Sequence, residues 1–162
     1  MIRTARAQDA PAITALWNQI IADTTITFTT VLKTEAEVAE IIADAGRLAH
    51  VAYSKDAFAG FALVSPFRGG PGYAHTVEHT VYLYNDAQGL GFGTDLIGTL
   101  QTASIVAGHH VMVGAISGSN FGAIEFHKRA GFQQVGHLSQ AGRKNGEWQD
   151  LVLMQKILQN GH

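Results

Sequence analysis

Glu78 is the residue of this sequence that most needs a chemical explanation. It lies within Thr76-Val77-Glu78-His79-Thr80-Val81-Tyr82-Leu83-Tyr84, a β-branched and aromatic run that reads as a central strand. A carboxylate placed there is costly unless it has a partner or a task. An ion pair with Arg68 or a neighbouring arginine is one answer, and work as a general base is the other. Just beyond the strand, Gln88-Gly89-Leu90-Gly91-Phe92-Gly93-Thr94 forms a glycine-rich turn that opens a helix. The first N–H groups of a helix have no partner within it, and that end carries roughly half a positive charge. A pyrophosphate fits such a place, and glycines let the backbone come close to it.

Other phosphate binders share glycine-rich turns, so the details decide. Gly89, Gly91 and Gly93 are spaced G-x-G-x-G, not G-x-G-x-x-G. The acidic ribose partner expected about 20 residues on is missing, because Asp95 comes too early and Glu125 too late. No lysine lies in the turn, which excludes a P-loop. A turn without a ligand stays open on this segment alone. No metal site is expected. The chain has eight histidines and no cysteine. His75 and His79, four apart on a strand, are separated by about 13 Å, and His109 and His110 point to opposite faces of theirs.

These residues need a scaffold, and the pattern supplies one. Ile2 to Arg6 reads as a strand, and Asp9 stands where it can cap a helix with Pro11 in its first turn. Ile13, Leu16, Trp17, Ile20 and Ile21 then follow one helical face. Thr34-Glu35-Ala36-Glu37 is a capping-box pattern opening a second helix, which Gly46 stops. Ala49–Tyr53 and Phe58–Val64 read as a hairpin across Ser54-Lys55-Asp56. Ser65 to Tyr73 reads as a loop that leads into the Glu78 strand. Gly91–Ala107 is predicted as a helix, His110–Ile116 as a strand and Asn120–Ala130 as a helix stopped by Gly131. Phe132–His137 and Trp148–Ile157 close the chain as strands. The order β-α-α-β-β-β-α-β-α-β-β is not the regular alternation of a doubly wound fold.

Composition narrows the class. A chain of 162 residues suits one domain spanning 1–162. Hydrophobic residues make up 46 % and charged ones 15 %, which points to a large core and leaves room for an oligomer interface. A formal net charge of −2 gives no reason to expect nucleic acid. No signal-peptide core and no membrane-length apolar run is present, so a soluble cytoplasmic protein is expected. Trp17 and Trp148 read as core or interface residues.

Gln88-x-x-Gly91-x-Gly93 resembles the coenzyme A pyrophosphate loop of the GNAT acetyltransferases. Asn120, opening a helix after a strand, matches an asparagine that the family keeps near the pantetheine arm. The resemblance covers nearly the whole chain and looks closest to the phosphinothricin and methionine sulfoximine acetyltransferase branch. It is carried by Ser65-Pro66-Phe67-Arg68, the Thr76–Tyr82 stretch, Phe126-His127, Ala130-Gly131-Phe132 and the tail Gly142-Arg143-Lys144-Asn145-Gly146-Glu147-Trp148-Gln149-Asp150. It implies an α+β fold with a mixed, mostly antiparallel twisted sheet of about seven strands flanked by four helices.

The same resemblance implies an acetyl-CoA-dependent N-acetyltransferase acting on the amine of a small molecule, an amino acid or analogue, without a metal and as a homodimer. Acetyl-CoA would be held by Val81, Tyr82, Leu83, Gln88, Gly89, Leu90, Gly91, Phe92, Gly93, Thr94, Asn120 and Arg129. The acceptor would be held by Arg68, Gly69, Gly70, Tyr73, Glu78, His79 and Thr80, with Arg68 on its carboxylate. Acetyl transfer needs a base to free the amine and a donor for the developing oxyanion. Glu78 is the candidate base and His127 the second candidate, with ordinary helix packing as the alternative for His127. A backbone N–H between Val81 and Leu83 is the oxyanion donor. Phe126 stands where many relatives carry an acidic tyrosine, so no general acid is assigned. A non-catalytic coenzyme A sensor and a protein or peptide N-acetyltransferase are the rival classes.

Overall fold

The computed structural model describes residues 1–158, and its strands and helices come in the predicted order. They are β1 (Ile2–Thr4), α1 (Ala10–Asp23), α2 (Glu35–Ala45), β2 (Ala49–Ser54), β3 (Ala57–Pro66), β4 (Thr76–Leu83), α3 (Phe92–Val106), β5 (Val111–Ser117), α4 (Phe121–Arg129), β6 (Gln133–Lys144) and β7 (Glu147–Ile157). One seven-stranded sheet runs β1-β2-β3-β4-β5-β7-β6. Every pairing is antiparallel except β4 with β5. This is the mixed, mostly antiparallel sheet with four helices that the resemblance implied.

Helices cover both faces of the sheet. Ile13, Leu16 and Ile20 of α1 and Val38 and Ile42 of α2 pack on Val51, Phe61 and Leu63. Leu96, Ile97 and Leu100 of α3 and Ile124 of α4 pack on Met112, Ile116, Val152 and Met154. Side chains alternate along β4. Val77, Val81 and Leu83 join the α3/α4 side, and Tyr82 joins the α1/α2 side.

Several local expectations hold. Thr34 Oγ1 accepts from Glu37 N–H at 3.1 Å, and Gly46 ends α2 at φ 54°. Others need correction. β1 stops at Thr4, and Asp9 does not cap α1 with its side chain. Its carboxylate is buried and takes two Arg3 N–H bonds (2.8 and 2.9 Å), Arg6 N–H (2.7 Å) and the Tyr53 hydroxyl (3.0 Å). Burial pushes the Asp9 pKa up, but those donors outweigh it and hold it below the usual range. Ser65 and Pro66 still belong to β3. β5 begins at Val111, so His109 and His110 precede it.

The largest miss is β6, which runs seven residues past His137. Its register shifts between Gln134 and Gly136 and again between Leu138 and Gly142, and Gln140 has φ 56°. Bulges break the two-residue alternation on which recognition of a strand depends. Asn145 and Gly146, at φ 52° and 78°, then close a tight hairpin into β7. Trp148 is exposed and lies under the Arg143 guanidinium, 4.3 Å from its ring centroid.

Candidate active site

β4 and β5 pair over only three positions, Thr76–Glu78 against Val111–Val113. Beyond them β4 stays with β3 as far as Leu83, and β5 stays with β7 as far as Ser117. The two strands therefore part in mid-sheet and open a cleft of about 320 Å³. Tyr84 N–H donates to Ala59 O at 3.0 Å and Phe67 N–H donates to Thr76 O, so the even-numbered residues of β4 direct their backbone groups at β3. By the alternation of an antiparallel ladder, Val81 and Leu83 present theirs to the gap, where β5 gives no partner. An extended ligand arm can pair with that edge as an added strand.

The α1/α2 side of the cleft carries Trp17, Lys33, Glu78 and Tyr82. Trp17 packs on Phe61 and Tyr82, with ring centroids at 5.2 and 6.3 Å. Lys33 Nζ lies 4.5 Å from the Trp17 ring centroid. Glu78 is half-buried and forms no ion pair among the described residues, with Arg68 or any other cation. Burial pushes the pKa of its carboxyl up from the usual carboxylate value. The same burial pushes the Tyr82 hydroxyl up to about 12.

The chain between α1 and α2 covers this side through Ile26, Thr27, Phe28 and Thr29. Three residues that the sequence did not mark as positioning hold it in place. Lys144 is buried, and its ammonium donates to Ile21 O, Thr24 O and Thr27 O at 2.7, 2.7 and 2.8 Å. Gly142 is the second: a Cβ there would overlap the Phe28 ring. Asn18 clasps the far end, donating to Lys33 O (2.9 Å) and accepting from Lys33 N–H (2.8 Å). The tail motif had been visible, but its spacing says nothing about a loop more than a hundred residues earlier.

On the α3/α4 side, His79 and His127 meet Nε2 to Nε2 at 2.8 Å. His79 Nδ1 faces Val113 O at 3.0 Å and His127 Nδ1 faces Ala123 O at 2.6 Å. A carbonyl only accepts, so both Nδ1 atoms must carry protons to make these bonds. Two neutral rings then have no proton left for the contact between them. Burial nonetheless disfavours the charged form and lowers both rings, His79 to about 3. Gly114 makes the arrangement possible, because a Cβ there would come within 2.7 Å of the His79 ring. Expected as acceptor contacts, His79 is buried in this pair, while Thr80 lines the cleft half-exposed. Glu78 and His127 both line the cleft, approaching it from opposite faces of the sheet.

The glycine turn follows β4 at the end of its free edge. Gly89 and Gly91 have φ 76° and 91°, a region that only glycine adopts freely, and a Cβ at either would meet nothing. Asp95 N–H donates to Gly91 O at 3.0 Å, so the N–H groups of Phe92, Gly93 and Thr94 have no partner inside α3. Gln88 and Leu90 are exposed beside them. Gly93 lets α3 approach the Phe126 ring, which a Cβ would meet at 3.3 Å. Phe126 thus packs where an acidic tyrosine was absent from the sequence. Asn120 caps α4 by accepting from Ala123 N–H at 3.3 Å, and both line the cleft. An unpaired strand edge leading to unpaired helix N–H groups fits a pantetheine arm followed by a pyrophosphate.

Other expected residues lie elsewhere. Arg68, Gly69, Gly70 and Tyr73 occupy the exposed β3–β4 loop, and the Arg68 guanidinium stacks 5.4 Å from the Tyr73 ring centroid. None of the four lines the cleft. Arg129 is exposed at the end of α4. Among the described residues, no group of three or more possible metal ligands comes together.

Residues 2–153 match the acetyltransferase (GNAT) domain. The L-methionine sulfoximine/L-methionine sulfone acetyltransferase of Pseudomonas aeruginosa is 35% identical over 161 residues, covering 95% of this chain and 92% of that protein. The phosphinothricin acetyltransferase of Sinorhizobium meliloti, solved in complex with acetyl-CoA, gives a TM-score of 0.93 at 29% identity, covering 99% of this chain and 89% of that one. The ribosomal-protein-alanine N-acetyltransferase of Brucella melitensis gives 0.92 at 32% identity, covering 98% and 99%. The domain match, the near full-length relatives and the parted β4–β5 edge agree: this chain belongs to the GNAT acetyltransferases.

Proposed function

We propose that this protein acetylates the amine of a free amino acid or a close analogue, with acetyl-CoA as donor and Glu78 as base. The observation that carries the reading is the parted β4–β5 cleft. It has an unpaired backbone edge on one side and an unpaired, half-buried carboxylate on the other. When bound, acetyl-CoA supplies the activated acetyl group. Val81 and Leu83 hold its arm by backbone hydrogen bonds, and a backbone N–H of this edge faces the oxyanion that develops. The N–H groups of Phe92, Gly93 and Thr94 receive the pyrophosphate. Glu78 takes the proton of the acceptor ammonium, directly or through one water. The freed amine then forms the amide bond to the acetyl carbon as the thioester C–S bond breaks, and the coenzyme A thiolate leaves and takes up the proton that the nitrogen releases. His127 is the second candidate for that proton. Burial lowers its pKa and keeps its ring neutral, which makes Glu78 the stronger candidate.

The relatives named for amino-acid analogues support the choice of acceptor, as does the covering α1–α2 loop. A protein acceptor needs an open groove instead. A homodimer and a cytoplasmic location complete the proposal. The exposed Val135, Leu138 and Trp148 on the edge hairpin support the first. For the second, no helix of the described residues is long and apolar enough to cross a membrane. The test is coenzyme A thiol release in the presence of free amino acids, simple amines and short peptides. Turnover is expected with free amino acids or their analogues. Turnover on peptides alone would overturn the acceptor assignment, and none on any amine would leave a coenzyme A sensor.

A further inference from the structure

We infer that Ser117, at the end of β5, reads a neutral polar group on the side chain of the acceptor and so sets which amino acids are acetylated. The inference rests on the amino-acid reading above and deepens it.

The cleft does not stop where β5 ends. A second groove of about 440 Å³ runs on from it, and Ile26, Ser117 and Asn120 line both. Apart from Ile26, the residues lining this groove are Asp23 and others with hydroxyl or amide side chains. It offers hydrogen bonds and no cation, so it suits a neutral polar group better than an anionic one.

Ser117 stands at the junction, on the face that the acceptor uses. Met112 and Ile116 pack in the α3/α4 core, so Val113, Ala115 and Ser117 turn to the side that carries Glu78. Val113 is the partner of Glu78 at the last paired position, and Ser117 lies four residues on, about 13 Å further along the sheet. An extended amino acid with a hydrogen bond of about 2.9 Å at each end covers that span when about four atoms separate its amine from its polar group. A sulfone, a sulfoximine or a carboxamide at the end of a two-carbon side chain meets that condition. Ser117 is only 2% exposed, and its hydroxyl makes one long contact, 3.3 Å to Ser119 Oγ. A hydroxyl has one proton to give and two lone pairs, so most of its capacity is unused. Closing the site with an apolar side chain leaves that buried hydroxyl unmatched, whereas a polar one satisfies it.

The test uses the full chain and four acceptors: L-methionine sulfone, L-glutamine, L-glutamate and L-norleucine. In the parent, KM should be lower for the sulfone and glutamine than for glutamate, which carries a charge, and norleucine, which has no polar group. Ser117→Ala is expected to raise KM for the sulfone and glutamine by about 3–10-fold, the loss of one neutral hydrogen bond. KM for norleucine should change by less than about twofold or fall. The reacting end of the acceptor is untouched, so kcat and KM for acetyl-CoA should stay within about twofold. Ser117→Cys keeps the shape with a weak donor, and it should discriminate in the same sense if the alanine variant folds poorly. Equal effects on polar and apolar acceptors, or no effect on any, would overturn the inference. So would a change confined to acetyl-CoA, or a parent that prefers glutamate or norleucine. If the parent acetylates amines or peptides but no amino acid, the acceptor reading fails and this inference with it. If amino acids are acetylated and neither variant discriminates, only the inference fails.

Discussion

Replacing Lys144 by methionine tests whether the loop over the cleft is held from the far end of the chain. Methionine keeps the length and the apolar stem but removes three donors. Lost with them are hydrogen bonds of 2.7, 2.7 and 2.8 Å to Ile21 O, Thr24 O and Thr27 O. The first two carbonyls lie at the C-terminal end of α1, where the helix dipole also favours a cation. Not all of the gross interaction is lost on deletion. Burial pulls the Lys144 pKa down, so removing the charge also removes a desolvation penalty. What remains is one fully buried carbonyl without a donor, about 1–3 kcal/mol, and two partly buried ones that water can reach at a smaller cost. A net destabilisation of about 3 kcal/mol follows, or a fall in Tm of roughly 6–12 °C for a chain of this size. The loop carries Thr27, Phe28 and Lys33 at the cleft, so KM for the acceptor should rise while acetyl-CoA affinity holds. Thermal melts and initial rates at varied acceptor concentration measure both. A Tm within about 1 °C of the parent and an unchanged acceptor KM would refute the argument that Lys144 anchors this loop.

Three further outcomes are expected. Glu78→Gln should lower kcat by about 10²–10⁴-fold with acetyl-CoA binding intact. Its pKa is raised by burial, so its stability contribution is present at low pH and lost as pH rises through the folded value. The variant should therefore melt higher than the parent at neutral pH, and a lower Tm would mean that Glu78 is structural. The His79 pKa is depressed from 6.5 to about 3, so the unfolded chain binds that proton more tightly and stability should fall as pH drops below 6.5. His79→Gln should flatten this acid limb of the Tm curve, whereas a parent Tm that rises on acidification would mean the pair takes up its third proton while folded. Gly91→Ala places a side chain at φ 91°, costing about 1–2 kcal/mol before any ligand is added. Acetyl-CoA affinity should fall as well. An unchanged Tm without ligand would show that the turn relaxes freely.

The fold was legible wherever periodicity was intact. Ile13, Leu16, Ile20 and Ile21 are buried as their spacing predicts, and Thr34 caps α2 as its motif predicts. β6 was not legible beyond His137, because two register shifts and a positive φ at Gln140 break the alternation. At the site, Glu78 was legible because a carboxylate in an apolar strand is conspicuous by type. The glycine turn was legible because its spacing follows from backbone geometry. The His79–His127 contact was not, since it joins a strand to a helix 48 residues away. Lys33 and Trp17 gave no signal either. A lysine near a capping box and a tryptophan on a helical face look ordinary until the loop folds them together.

The tail motif shows why a signature can be recognised before it is understood. Gly142 and Lys144 do not line the cleft. Gly142 makes room for Phe28, and Lys144 ties down the end of α1 and the loop that follows it. Asn145 and Gly146 turn the chain so that β7 can pair back. Asp150 accepts from Gln140 N–H at 2.8 Å, which holds the bulge of β6 in register. At Gly118 a Cβ would come within 2.8 Å of the Asp150 Cβ and 3.2 Å of its backbone oxygen, so the chain after β5 packs directly on the stem and backbone of Asp150. The motif is therefore a support for the α1/α2 side of the cleft, built at the opposite end of the sequence. The loop over one side of the cleft is thus held by residues that do not line it.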